Sequence, residues 1–333
     1  MKHIEPCRLA TACLPWTESG DFLEEVFRRE VRALRRGGFE NLYIFGTAGE
    51  GYAVTDPVFR RVATVFMEEM RGSIGLVMLG VIGMSVAQIR ARIEVGLELG
   101  YRAFQVSLPS WGTLTDLELS RFFRDVLGPY PEVAFLHYNT GRGGRVLTGT
   151  DYARLSAEHP NLVATKSGGH TSTSLLALLG NAPTLCHFVT EIDYATACLY
   201  GRTCGLLVSA SAVHPHRCRE FFEAGQRGDT DLLRRLTREL SLIRTRIIAT
   251  VAGEGGHMDG AYDKFFVRLA DPEFPIGLLS PYQGGGIEAF DGFKAWLERE
   301  VPGWDASRID HHQAEGMTPG AYRDTYRKQG ASQ

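Results

Sequence analysis

The sequence predicts an α/β protein, a (β/α)8 TIM barrel over residues 1–226 followed by a helical C-terminal domain with a polar tail over residues 227–333. Three observations carry this expectation. Short apolar, β-branched runs alternate with amphipathic charged runs, and the strand candidates start roughly 20 to 35 residues apart. The strand candidates are apolar on nearly every residue, which a sheet shows when helices cover both of its faces. The first of them leads into LPWTESGD and not into the G-x-G-x-x-G turn of an open dinucleotide-binding sheet. Eight strand–helix units within about 225 residues suit a closed barrel.

The strand candidates, in order, are CRLATACL (7–14), NLYIF (41–45), IGLVMLGV (74–81), RAFQVSL (102–108), VAFLHY (133–138), NLVATK (161–166), LCHFVT (185–190) and CGLLVS (204–209). Between them the apolar spacing turns helical. EEVFRREVRALRRGG carries Val26, Phe27, Val31 and Leu34 on one side and ends in glycine, a helix with its stop signal. DPVFRRVATVFMEEMRG and SVAQIRARIEVGLELG follow the same pattern, with Asp56 and Ser85 as expected N-caps and Pro57 at the first helical position. After residue 226 only helical patterns remain: TDLLRRLTRELSLIRTRIIATVAG, GAYDKFFVRLA and IEAFDGFKAWLERE. The glycine-rich GEGGHMDG at 253–260 follows a helix and not a strand, so it is assigned to a turn between helices and not to a phosphate loop.

Bulk properties exclude several functions. The formal net charge of −3 offers no basic face for nucleic acid. The longest apolar run, IGLVMLGVIGM, is too short to span a bilayer, and MKHIEPCRLA lacks the apolar core of a signal peptide. A cytoplasmic protein is therefore expected. The six cysteines include no C-x-x-C pair and read as reduced thiols. His214-Pro215-His216 and His311-His312 are the only close histidine pairs; they read as loop or helix-start residues, and no metal site is expected.

A barrel places its chemistry at the C-terminal ends of its strands. There the sequence sets FGTAGEG (45–51), SLPSW (107–111), HYNTGRGG (137–144), TKSGG (165–169), TEID (190–193) and SASA (209–212). Lys166 is the only lysine among these strand ends, and Tyr138 the only tyrosine. Burying an ammonium is unfavourable, and the group responds by lowering its pKa. A neutral amine attacks a ketone to form a Schiff base, and a nearby phenol can carry the proton. The same pattern also suits a lysine paired with a carboxylate inside the barrel and a tyrosine that is merely core. The small residues of FGTAGEG let backbone N–H groups approach an anion, and Thr47 adds a hydroxyl; the loop reads equally as a tight turn before a helix.

Together, FGTAGEG, HYN and VATKSGG resemble, in order and spacing, the G-T-[TS]-G-E, Y-N and I-K-[ED] segments of the dihydrodipicolinate synthase/N-acetylneuraminate lyase family of Schiff-base aldolases. The resemblance runs from about residue 8 to about residue 300. It implies a barrel with a helical C-terminal domain, a homo-oligomer (tetramer or dimer), a small 2-oxo acid substrate, and no metal or organic cofactor. It makes Lys166 the Schiff-base lysine, Tyr138 the proton relay and Thr47 the hydroxyl partner of Tyr138. Thr47 and Ala48 offer backbone N–H groups to the substrate carboxylate. Arg142, Glu191 and Leu207 are the further expected substrate contacts.

The departures narrow the expectation. Ala48 stands where the family has a second hydroxyl, Gly141 where it has proline, and Ser167 where an acid follows the lysine. Arg142 sits one place early relative to the synthases' arginine. Pro109-Ser110-Trp111 replaces an aromatic pair whose tyrosine crosses between subunits in the synthases. Glu191 falls near the acid with which sugar-acid lyases hold substrate hydroxyls. The expected activity is retro-aldol cleavage or dehydration of a 2-keto-3-deoxy sugar acid or a similar 2-oxo acid. The alternatives are a 4-hydroxy-tetrahydrodipicolinate synthase and a non-catalytic barrel that binds 2-oxo acids.

Overall fold

A computed structural model describes residues 3–304. His311-His312 and most of the polar tail lie outside the described residues. Eight strands form a closed parallel barrel in sequence order: β1 (Arg8–Thr11), β2 (Asn41–Ile44), β3 (Val77–Gly80), β4 (Ala103–Val106), β5 (Ala134–Tyr138), β6 (Leu162–Ser167), β7 (Cys186–Val189) and β8 (Gly205–Leu207). β8 pairs with β1 to close the ring. The sequence expectation of a (β/α)8 barrel therefore holds, strand by strand.

The helices between strands are α1 (Glu24–Arg36), α2 (Asp56–Glu69), α3 (Val86–Glu98), α4 (Asp116–Leu127), α5 (Gly149–Glu158), α6 (Ser172–Asn181) and α7 (Glu191–Leu199); α8 (Pro215–Arg227) follows the last strand. Side chains such as Phe27, Phe59, Ile93, Phe123 and Leu155 pack the layer between helices and barrel, while Leu9, Tyr43, Met78, Leu136, Ala164 and Phe188 fill the interior. The two-residue period of a strand sends alternate side chains to these two layers. On β5, Phe135 faces the helices and Leu136 the interior, so Tyr138 shares the inner face. On β6, Ala164 faces inward and so does Lys166, two residues on.

Capping sets most helix starts. Ser85 caps α3 by accepting from the Gln88 N–H, as expected. Capping boxes start α4 (Thr115 with Glu118) and α5 (Thr148 with Asp151), each a contribution of about 1 kcal/mol. Asp56 is not the cap of α2. Thr55 holds that position with extended backbone and Asp56 is the first helical residue, its carboxylate 3.3 Å from the buried guanidinium of Arg92. Arg92 also donates to the carbonyls of Gly51 and Val54, so it ties the loop after β2 to the start of α2.

Beyond α8 the described chain is helical, as expected: α9 (Thr230–Gly253), α10 (Asp259–Ala270) and α11 (Ile287–Glu300). The glycine-rich 254–258 segment is the turn between α9 and α10, but Asp259, read as part of that turn, begins α10. α9 buries Leu236, Leu240, Ile243 and Ile247 along one face. α10 does something a capping helix need not do. It places Asp259 and Asp263 at the barrel mouth and sends Lys264 below, into the loop after β2. No helix among the described residues is long and apolar enough to cross a membrane, and all six cysteines are free.

Candidate active site

The loop after β2 fixes one wall of the site. Phe45 and Glu50 adopt left-handed backbone angles, φ +60° and +50°, which cost non-glycine residues about 1 kcal/mol or more each. Gly46 between them has no room for a side chain: a Cβ there would stand 2.7 Å from the Tyr43 ring and 3.2 Å from Lys166 Nζ. The strain is held by a fully buried ion pair. Lys264 Nζ donates to Glu50 Oε1 at 2.6 Å, Trp16 Nε1 donates to the same oxygen at 2.8 Å, and the Leu279 N–H donates to Oε2 at 2.7 Å. The loop then folds on itself, with the Glu50 N–H donating to the Thr47 carbonyl. Among the described residues, no protein acceptor takes the N–H of Thr47 or Ala48. Two adjacent unspent N–H donors are what a carboxylate needs.

β5 and β6 form the floor. Tyr138 and Lys166 are paired residues in the parallel ladder. Lys166 Nζ lies over the Tyr138 ring, 3.9 Å from its centroid, and 4.6 Å from the centroid of Tyr43. Its hydrogen bonds go to the Tyr43 hydroxyl at 2.8 Å and to Gln105 Oε1 at 3.5 Å. No carboxylate pairs with Lys166 within 4.0 Å among the described residues, so the amine is not locked in an ion pair. Burial lowers its pKa to about 8, against the opposing pull of Asp259 and Asp263. Roughly a tenth of such an amine is neutral at pH 7.

The expected hydroxyl pair also meets. Thr47 Oγ1 donates to the Tyr138 hydroxyl at 3.3 Å. The Tyr138 hydroxyl donates in turn to Asp259 Oδ2 at 3.4 Å, and Arg142 Nη2 donates to Asp259 Oδ1 at 3.1 Å. Burial, helped by the Asp259 carboxylate, raises the Tyr138 phenol to about 12. Asp263, one helical turn on, accepts from Ser209 Oγ at 2.9 Å; burial and then Asp259 push its carboxyl well above the ordinary range.

These groups open onto one cavity of about 590 Å³, lined among others by Ala48, Tyr138, Arg142, Lys166, Glu191, Leu207, Asp259 and Asp263. Of the candidate site residues, Ala48, Tyr138, Arg142, Lys166, Glu191 and Leu207 line this cavity, and Thr47 touches Tyr138, which lines it. Glu191 reaches it with one oxygen already engaged: Oε1 accepts from the Ser209 N–H, the Ser211 N–H and Ser211 Oγ. It thereby pins the loop after β8. Trp111, in the segment that departs from the synthases, is 91% exposed. Among the described residues no cluster of three or more His, Cys, Asp or Glu is gathered to hold a metal.

The sequence reading missed four participants. Tyr43 and Gln105 lie mid-strand, where an aromatic and an amide read as core. Asp259 and Asp263 come from a helix beyond the barrel. Their signal was present: two acids four apart in GHMDGAYDKFF share a helix face otherwise packed with apolar side chains.

Comparisons with known proteins agree with this architecture. A search of curated proteins finds no match. Among solved structures, YagE, a prophage protein of the dihydrodipicolinic acid synthase family from E. coli K12 in complex with pyruvate, superposes with TM-score 0.79 at 15% identity, over 88% of this chain and 97% of that one. The dihydrodipicolinate synthase of Aquifex aeolicus gives 0.77 at 17% identity, over 89% and 97%. CdNal from Clostridium difficile, in complex with mannosamine, gives 0.75 at 15% identity, over 86% and 96%. At such identities the likeness speaks for the fold. The sequence itself matches the model of the dihydrodipicolinate synthetase family over residues 7–254, from the first strand to the end of α9, and on that match the chain belongs to this family.

Proposed function

We propose that the protein is a Schiff-base lyase acting on a small 2-oxo acid, such as a 2-keto-3-deoxy sugar acid, by carbon–carbon cleavage or by loss of a β-hydroxyl. The observation that carries this reading is the buried, unpaired amine of Lys166 at the floor of a cavity, depressed to about 8 and stacked on Tyr138. Family membership adds weight, and YagE is a family member found in complex with pyruvate.

The neutral Lys166 amine attacks the keto carbon. The C–N bond forms as the carbonyl pair moves to oxygen, which takes a proton from the Tyr138 hydroxyl. The Tyr138 oxygen takes a proton back from nitrogen, a proton from solvent turns the new hydroxyl into departing water, and the iminium remains. The iminium then accepts the electron pair of the breaking bond as an enamine. Thr47 orients the phenol from one side. The Thr47 and Ala48 N–H groups receive the substrate carboxylate, and Arg142, Glu191 and Leu207 surround its distal part. The condensing synthase reaction is the weaker reading, because Pro109-Ser110-Trp111 holds no tyrosine where the synthases carry their subunit-crossing one. We further propose that the chain self-associates. Met84, Trp111 and Val146 are exposed on three adjoining loops, with Ser110 bonded to Met84 and Thr113 to Gly144.

Incubation with pyruvate and borohydride, followed by peptide mass mapping, tests the central claim. A reduced pyruvyl adduct on Lys166 is expected, absent from Lys166→Ala and formed more slowly by Tyr138→Phe. An unmodified Lys166, with pyruvate and with a panel of 2-keto-3-deoxy acids alike, would sink the enzyme reading.

A further inference from the structure

The phenol in this site has a base beside it that belongs to the same chain. Thr47 donates to Tyr138 and Tyr138 donates to Asp259, so the hydrogen bonds run one way, from the loop after β2 to the N-terminus of α10. Arg142 engages the other oxygen of Asp259 and holds the carboxylate facing Tyr138. Hydrogen bonds of 3.3 and 3.4 Å are long, as catalytic contacts often are before a ligand tightens them.

We propose that Asp259 is the terminal proton acceptor of a Thr47–Tyr138–Asp259 relay, a positioning residue that lets Tyr138 act as a base within a single chain. This deepens the Schiff-base reading and rests on it. Enamine formation needs a base at the carbon next to the iminium. A phenol raised to about 12 by burial is protonated at neutral pH and has no capacity to accept a proton on its own. With Asp259 in line, the balance closes. The C3–H bond of the bound iminium breaks and its electron pair forms the enamine double bond, while the iminium π pair moves to nitrogen. The C3 proton goes to the Tyr138 oxygen as the phenolic proton passes to Asp259 Oδ2. For retro-aldol cleavage the proton comes instead from the substrate hydroxyl and the pair from the C3–C4 bond. Asp263 does not substitute, since Ser209 holds its Oδ1 and the Tyr138 hydroxyl donates to Asp259 instead.

Pyruvate is a sufficient probe. Two quantities are measured on the full-length protein: the yield of borohydride-trapped adduct after long incubation, and the rate of deuterium exchange at pyruvate C3 in D2O by NMR. For Asp259→Asn, adduct yield within about twofold of wild type is expected, with exchange slowed on the order of 100-fold. Asp259→Glu should restore exchange to within about tenfold of wild type. Exchange in Asp259→Asn within twofold of wild type would overturn the relay and leave the Schiff-base reading standing. Loss of the adduct in Asp259→Asn would also overturn it, by making Asp259 a shaper of the pocket. Absence of the adduct in the wild type overturns both.

Discussion

At Lys166 stability and chemistry pull against each other. Its amine is buried with two aromatic faces, the Tyr43 hydroxyl and Gln105 Oε1 for company. A drop from 10.5 to about 8 corresponds to a cost on the order of 3 kcal/mol for the charged form at neutral pH. The unfolded chain binds the proton more tightly, so between pH 8 and 10.5 unfolding takes up a proton and stability rises with pH. Lys166→Met removes the penalty but leaves the Tyr43 hydroxyl without its donor, a loss of about 1 kcal/mol. The variant should be more stable than wild type by about 2 kcal/mol at pH 7 in urea denaturation, with the advantage shrinking above pH 8. A destabilised Lys166→Met would mean that the amine is structural. Lys166 and Tyr138 were legible in the sequence because a strand that ends in a polar side chain and then runs into glycine is unusual. Tyr43 was not, because nothing in NLYI separates a phenol that receives a bond from one that fills space.

At the scale of elements, the loop after β2 and α10 behave as one part. The loop stores strain at Phe45 and Glu50, and the Glu50–Lys264 pair, fully buried, keeps it in place. Such a pair offsets its own desolvation only while both members are present. Lys264→Met should therefore lower stability by about 3–5 kcal/mol, by leaving the Glu50 carboxylate buried among dipoles alone. Glu50→Gln combined with Lys264→Met should recover part of that loss, measured as a double-mutant cycle. Additive losses would mean that the pair is uncoupled. The strands and helices of this region were readable from periodicity and glycine stops. The coupling was not, because the two charges lie 214 positions apart and each looks like a surface residue until the fold brings them together. Asp56 shows the reverse error: its place before an apolar helical run suggested a cap, but the helix takes it in as its first residue and Thr55 stands at the cap.

For the whole molecule, the barrel order follows from eight apolar runs too evenly spaced for most other arrangements, which is why the architecture was legible before any contact was known. Self-association is less easily read, since exposed apolar side chains occur on monomers too. Adjoining loops that expose Met84, Trp111 and Val146 together make the stronger case. Sedimentation at micromolar concentration should give a dimer or tetramer, and Trp111→Ala should weaken it by at least ~10-fold. A monomer at tens of micromolar, or a Trp111→Ala oligomer of unchanged affinity, would place the contact elsewhere or remove it. The position of α10 has one more consequence, in the order of synthesis. A nascent chain that has emerged as far as β8 carries every strand of the ring, and its lysine, yet lacks the acid that faces the phenol and the cation that steadies the strained loop. The pocket is finished only when the last helices leave the ribosome, so a truncated translation product would lack the α10 side chains that line it.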